Sequence, residues 1–224
     1  MRRAQKPPIA ATLRAAALAL ALLLPSAAAA LTIDVSFTAS TYQVQAGDTY
    51  ADLLAEHGSG VVLGASSVTS LAGVSTAVYA PGNTTDYSVL MSVQIVAAQT
   101  GAYQFQAGVD WGRGGVAAVV DNGTGSVISE LVRTDDLWWA YDWNNGDVFV
   151  TGVNLTAGES YTLAWIGFEG CCAGSSTIRF SFEGSAFTPI DTGSMGPYAA
   201  VRAPGAALLV ASLLAGLPLL RRRR

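Results

Sequence analysis

Apolar and polar residues alternate with period two along most of this chain. Leu31-Thr32-Ile33-Asp34-Val35-Ser36-Phe37-Thr38 has the pattern of a half-buried strand. Further strand-like runs are Val61–Leu63, Val74–Tyr79, Tyr87–Ala98, Ala102–Ala107, Val116–Val120, Val127–Val132, Asp147–Val153, Ser160–Ile166 and Thr177–Phe182. Turn chemistry separates them at Pro81-Gly82-Asn83, Thr100-Gly101 and the hairpin signal Asp121-Asn122-Gly123. One stretch, Asp48–His57, predicts a helix capped by Asp48 and ended at Gly58. Strands about 8–12 residues apart with turns between them predict an all-β, jelly-roll-like β-sandwich with one short helix over residues 31–187. Pro189, Gly193, Ser194, Gly196 and Pro197 predict a linker over 188–200.

The two ends break this pattern. Residues 1–30 join a basic start to the apolar run Ala15–Leu24, then Pro25 and Ala28-Ala29-Ala30. That order predicts a secretory signal peptide read by the Sec export machinery. Export places the body in an oxidising compartment, where paired cysteines are candidate disulfides. Near the other end, the sixteen residues Gly205–Leu220 are apolar apart from Ser212 and run into Arg221-Arg222-Arg223-Arg224. A short membrane helix with its arginines left cytoplasmic fits this layout. So does a sorting signal over 201–224 that is cut off after export; a permanent anchor is the competing reading, on a span that is short for one.

Removing the ends changes the charge. The whole chain carries −4, but residues 31–204 hold four arginines, no lysine and all sixteen acids, a net of −12. Such a body repels phosphate backbones, which excludes nucleic-acid binding by counterion release. It suits a soluble exported protein or a place in a hydrated matrix.

Three clusters carry candidate chemistry. The first is Gly167-Phe168-Glu169-Gly170-Cys171-Cys172-Ala173-Gly174, with the only two cysteines adjacent. Neighbouring Cα atoms lie about 3.8 Å apart, below the usual disulfide range of about 4.4–6.8 Å. A vicinal disulfide or reversible thiol pair ranks first, then a bridge to another chain. Soft-metal ligation ranks last, because zinc wants four ligands and no histidine lies nearby. The second cluster is Asp110-Trp111-Gly112-Arg113-Gly114-Gly115. The third is Arg133–Asp147, rich in acids and aromatics. Exposed indoles stack on sugar rings, which makes Trp111, Trp138, Trp139 and Trp143 candidates for binding an extracellular polysaccharide. Asp110, Asp135 and Asp136 are weak calcium candidates, since their spacing does not match an EF-hand loop. The competing reading puts the tryptophans in the core and the acids in turns. His57, the only histidine, has no serine or cysteine paired beside it in sequence, and it ends the helix. A hydrolase or thiol-redox reading would centre on Glu169, Cys171 and Cys172. No catalytic constellation accompanies them, so no enzyme and no resident cofactor are expected.

The Cys171-Cys172-Ala173-Gly174 loop, together with the apolar tail and Arg221 to Arg224, resembles the CCXG family of PEP-CTERM sorting-domain proteins. The likeness covers roughly Tyr87 to Arg224, and Asp110–Gly115 and Asp136–Trp139 fit it. At the sorting box Arg202-Ala203-Pro204 stands where that family has Pro-Glu-Pro, with Val201 and Pro204 retained. The resemblance implies export from a Gram-negative bacterium and handling by an exosortase-type transpeptidase at the inner membrane. It also implies a destination at the cell surface or in the extracellular matrix, as a structural or adhesive protein. A second likeness is to protective-antigen-type lectin-like sandwiches. It runs through Tyr103–Gln106 with Asp110, Val120–Gly123 and Asn154–Tyr161. Those lectins bind calcium with an Asp-Asp pair, and here Trp111 follows Asp110.

Overall fold

The computed structural model describes residues 31–172 and 174–200. The expected signal peptide, and the sorting segment with Val201, Pro204 and Arg221 to Arg224, lie outside the described residues. The strands are β1 (Leu31–Ala39), β2 (Val62–Ser67), β3 (Val74–Ser75), β4 (Tyr87–Val96), β5 (Gly101–Gly108), β6 (Asp110–Trp111) and β7 (Gly115–Asp121). They continue as β8 (Ser126–Arg133), β9 (Leu137–Trp138), β10 (Phe149–Leu155), β11 (Ser160–Glu169), β12 (Ser175–Phe182) and β13 (Thr188–Pro189). One sheet has the order β2-β1-β4-β11-β7-β8. The second runs β10-β5-β12-β13, with β3 paired to β12. The all-β sandwich is therefore the observed fold.

Alternation fixes which side chains meet between the sheets. Ile33, Val35 and Phe37 of β1 share one core with Tyr103, Phe105 and Ala107 of β5 and with Ile178 and Phe180 of β12. Phe105 and Trp165 meet edge to face across it, 5.9 Å between centroids. β11 is apolar almost without a break because both of its faces are covered. Its outer residues Ile166 and Phe168 pack, with Val116 and Ala118, beneath Leu53 of helix α1 (Tyr50–Ser59).

That helix starts one residue later than the sequence suggested. Thr49 is the cap: its hydroxyl accepts from the Asp52 N–H, and the Asp52 carboxylate accepts from the Thr49 N–H at 3.0 Å. Asp48 instead takes the Tyr42 hydroxyl and the Gln45 N–H. The helix ends at Ser59, with Gly60 rather than Gly58 after it.

Two further expectations are corrected. The run Val74–Tyr79 is not one strand. After β3 it turns into helix α2 (Thr76–Tyr79): Val78, which a continuing strand would bury in phase with Val74, Thr76 and Ala80, is instead turned out to solvent. The expected linker at 188–200 belongs to the sandwich. Thr188 pairs with Phe180, and Asp191 caps a short helix α3 (Thr192–Met195). Ile190 and Met195 are fully buried, and Tyr198 packs on Phe180 at 5.3 Å. The glycines and prolines there bend the chain so that three apolar anchors reach the core.

His57 joins α1 to the large sheet. Its Nε2 lies 2.8 Å from the Ser36 hydroxyl and its Nδ1 lies 2.8 Å from that of Ser88, with Thr38 at 3.2 Å. The sequence offered no serine partner for this histidine; strands β1 and β4 supply two. No carboxylate completes a triad, since only hydroxyls bond the ring among the described residues. Burial pushes the imidazole down to about 4. The unfolded chain therefore takes up this proton first, from about pH 6.5 downward. The contribution of His57 is complete above that pH and is lost as pH falls from 6.5 to 4, by about 3 kcal/mol in all. Urea midpoints of the wild type should fall across this window. His57→Gln, with no proton to take up, should lose that part of the slope.

Candidate functional site

One end of the sandwich is shaped by Trp111. Its indole lies flat against β11 and β7: a Cβ on Gly167 would come within 1.9 Å of the ring, and one on Gly115 within 2.5 Å. Phe149 closes the other side at 5.7 Å. Trp111 is 1% exposed, so it offers no face to a sugar and is a core residue. Its neighbour Asp110 emerges on the opposite side of β6. The two-residue ladder β6–β9 then sets Asp110 against Trp138 and Trp111 against Leu137.

This ladder brings parts of all three sequence clusters to one cleft of about 590 Å³. Its walls carry Asp110, Asp136, Trp138, Glu169, Cys171 and Cys172, with Gln43 and Arg113 at the rim. Trp138 is 60% exposed. Its backbone is fixed on both sides: the N–H donates to Asp147 Oδ2 at 3.1 Å, and the C=O accepts from Asn145 Nδ2 at 3.1 Å. An exposed indole on a fixed stretch of backbone thus stands beside two carboxylates. Burial pushes Asp110 up, and the like charge of Asp136 adds to the effect.

Glu169 lies behind this surface, 2% exposed. It accepts three backbone N–H groups, from Gly112 at 2.8 Å, Gly170 at 2.7 Å and Cys171 at 2.9 Å. Its burial outweighs these donors and leaves its pKa raised. The bonds tie the cysteine loop to the β6–β7 turn, which is a structural task for this carboxylate.

Cys171 and Cys172, the candidates for a vicinal disulfide or reversible thiol pair, are both exposed and carry free thiols in this structure. The Cys171 thiol is pushed up to about 11, chiefly by its hydrogen bond with Cys172. A thiol so rarely ionised is a poor nucleophile. Cys171 therefore lines the cleft as the protonated thiol.

The other tryptophans divide. Trp139 is buried, with Nε1 donating to the Ser175 C=O at 3.3 Å and its ring filling the space above Gly108. Like Trp111, it is withdrawn from the sugar-stacking set. Trp143 is half-buried, 4.6 Å from Trp139, and stacks on Arg179 outside the cleft. Asp135 also departs: Arg133 holds it through Nε at 3.0 Å and through Nη2, and this pairing keeps its carboxyl below the usual range. No group of three acid, histidine or cysteine side chains able to hold a metal ion occurs among the described residues. The calcium candidates Asp110, Asp135 and Asp136 thus do not assemble, because one of the three is spent on an ion pair. Gln43 joins the rim with no sequence signal. It reaches there because its amide donates to the carbonyls of Arg113 and Thr134.

No family model matches the chain, and no curated protein matches it. Several solved structures do. The PA14 sugar-binding domain from an RTX adhesin is 14% identical, covers 77% of this chain and 99% of its own, and gives a TM-score of 0.46. The PA14 domain of the MpAFP antifreeze protein is 12% identical over 75% of this chain and 93% of its own, at 0.48. The A domain of epithelial adhesin 9 from Candida glabrata, in complex with Galb1-4GlcNAc, is 12% identical over 72% and 88%, at 0.46. At these identities and scores no residue role passes from them to this chain.

The contrast between Trp111 and Trp138 is open to direct test. Trp111→Ala should cost about 3–5 kcal/mol in urea denaturation through the cavity it leaves. Gly167→Ala should also be strongly destabilising, since its methyl has no room. Trp138→Ala should change stability by less than about 1 kcal/mol.

Proposed function

We propose that this domain is an adhesive carbohydrate-binding module that takes its ligand in the cleft at Trp138. The observation that carries the reading is the 60% exposed indole of Trp138, on backbone held at both its N–H and its C=O, beside Asp110 and Asp136. A pyranose ring stacks its C–H face on such an indole, and carboxylates accept from its hydroxyls. The hydrolase or thiol-redox reading has less support. Glu169 is buried behind three N–H donors, and Cys171 is held in its thiol form.

The sequence further supports delivery of this module to the cell surface or extracellular matrix. The leader at 1–30 is of the kind handled by Sec export. The tail at 201–224, with Val201, Pro204 and four terminal arginines, is of the kind handled by an exosortase-type transpeptidase. A protein fixed in a polysaccharide matrix that also binds polysaccharide would link the two physically.

On a glycan array and in calorimetry with the best hit, Trp138→Ala should weaken binding about 30-fold or more. Asp136→Asn should weaken it with stability unchanged. Absence of binding to every extracellular polysaccharide tried would overturn the module reading. Intact mass of the mature exported protein should lack Arg221 to Arg224; retention of those residues would overturn cleavage while leaving the cleft reading intact.

A further inference from the structure

The described residues contain three arginines, and all sixteen acids of the chain lie among them. Two of the arginines are neutralised: Arg113 by Asp86 at 2.7 Å, and Arg133 by Asp135 and Asp147. Arg179 has no carboxylate partner among the described residues. It stands on the outer face of β12, directly across from Gln106 of β5. Its Nε and Nη2 both donate to Gln106 Oε1, at 2.8 and 2.5 Å. Trp143 covers its guanidinium at 3.9 Å from the ring centroid, and the Phe187 ring lies at 4.9 Å. Cation–π contact and the amide hold the fork in place without neutralising it. Its Nη1 edge makes no hydrogen bond among the described residues. Burial lowers the pKa of Arg179, whereas the bond to Asp135 raises that of Arg133. The difference is what a missing counter-ion produces.

We infer that Arg179, framed by Trp143, Phe187 and Gln106, is a subsite for the carboxylate of a single uronic-acid residue within an otherwise neutral glycan. A guanidinium matches a carboxylate in a planar, two-bond geometry. The flanking rings suit the apolar face of a sugar. Gln104, exposed two residues from Gln106 on the same face of β5, adds an amide for hydroxyls. The ligand has one charge for a physical reason. The body carries −12 on residues 31–204, so a polyuronate is repelled along its length. A lone carboxylate meets one local cation while the rest of the field is screened within about 8 Å. The loop that carries Trp143 also carries Trp138, so one segment serves both surfaces. The choice of a sugar, rather than another carboxylate, rests on the carbohydrate-binding reading above.

The test uses an oligosaccharide with one glucuronic-acid residue, and the same oligosaccharide with that carboxyl reduced to an alcohol. Wild-type protein should bind the acid form about tenfold or more tightly. Arg179→Gln should lose that factor for the acid form and bind the reduced form as wild type does. Arg179→Lys, a point charge without the stacked fork, should recover only part of it. Equal binding of both forms by wild type, or an unchanged Arg179→Gln, would overturn the inference. A peptide with one glutamate that binds as tightly as the acid sugar would overturn the sugar assignment. If Arg179→Gln melts early, the readout moves to wild type. The Arg179 Nε–H resonance should shift with the acid form and not with the reduced one, and the reverse result sinks the idea. Trp138→Ala separates the two readings. If it binds as wild type while the carboxyl preference persists, the cleft reading alone falls. If it abolishes binding and carboxyl reduction has no effect, the Arg179 subsite alone falls.

Discussion

The Trp111 indole lies in a slot that exists only because Gly167 and Gly115 have no side chains there. With the ring seated, β6 is held against the end of the large sheet, and Asp110 must face outward. The β6–β9 ladder then places Trp138, and the bond from Gly112 to Glu169 places the cysteine loop. One aromatic side chain thus orients three separate loops. None of those loops has a core of its own, so each depends on that contact. The buried carboxylate of Glu169 reinforces it with three N–H bonds, at the cost of desolvating a charge.

The charge of the molecule is distributed to match. An acidic body with few cations has few ion pairs to use, and they are placed where loops need fixing. Arg133 draws Asp135, Asp147 and the Gly146 carbonyl together, which gathers the segment between β9 and β10 around a single guanidinium. Arg113 ties the β6–β7 turn to Asp86. Asp142 and Asn145 also serve as turn residues, their side-chain oxygens accepting from the N–H groups of Asn144 and Asp147. The density of acids in that stretch is therefore in part a substitute for regular secondary structure.

Period two made the long strands legible, because burial of one face is what alternation records. It also made β11 legible, since an apolar run of its length between turn signals is what burial on both faces leaves. The pattern failed where a single contact overrode it. Val78, in phase with buried Val74 and Thr76, is turned out to solvent where the run becomes helical. In 188–200, three isolated anchors sit among glycines and prolines. The candidate site was legible as residue types but not as an arrangement. The sequence pointed to Asp110, Asp136, Trp138, Glu169 and both cysteines, and the fold brings all of these to one cleft. It gave no means to tell Trp111 and Trp139 from Trp138, because inward and outward tryptophans are alike until their neighbours are known. Neither Gln43 nor the partners of His57 carried any local signal, since the groups that meet lie 19 to 31 residues apart for His57 and 70 to 91 apart for Gln43.

The two-residue ladder of β6 and β9 belongs to neither large sheet. Hydrogen-bond register in those sheets is thus set without reference to the Trp-rich segment. At the turn after β9, Ala140 and Tyr141 both adopt left-handed backbone, an unfavourable pair that the surrounding bonds must enforce. Insertions or exchanges in this segment would reshape the cleft and leave the strand alignment of the sandwich as it is. The contour of that end and the register of the sheets are therefore free to change independently.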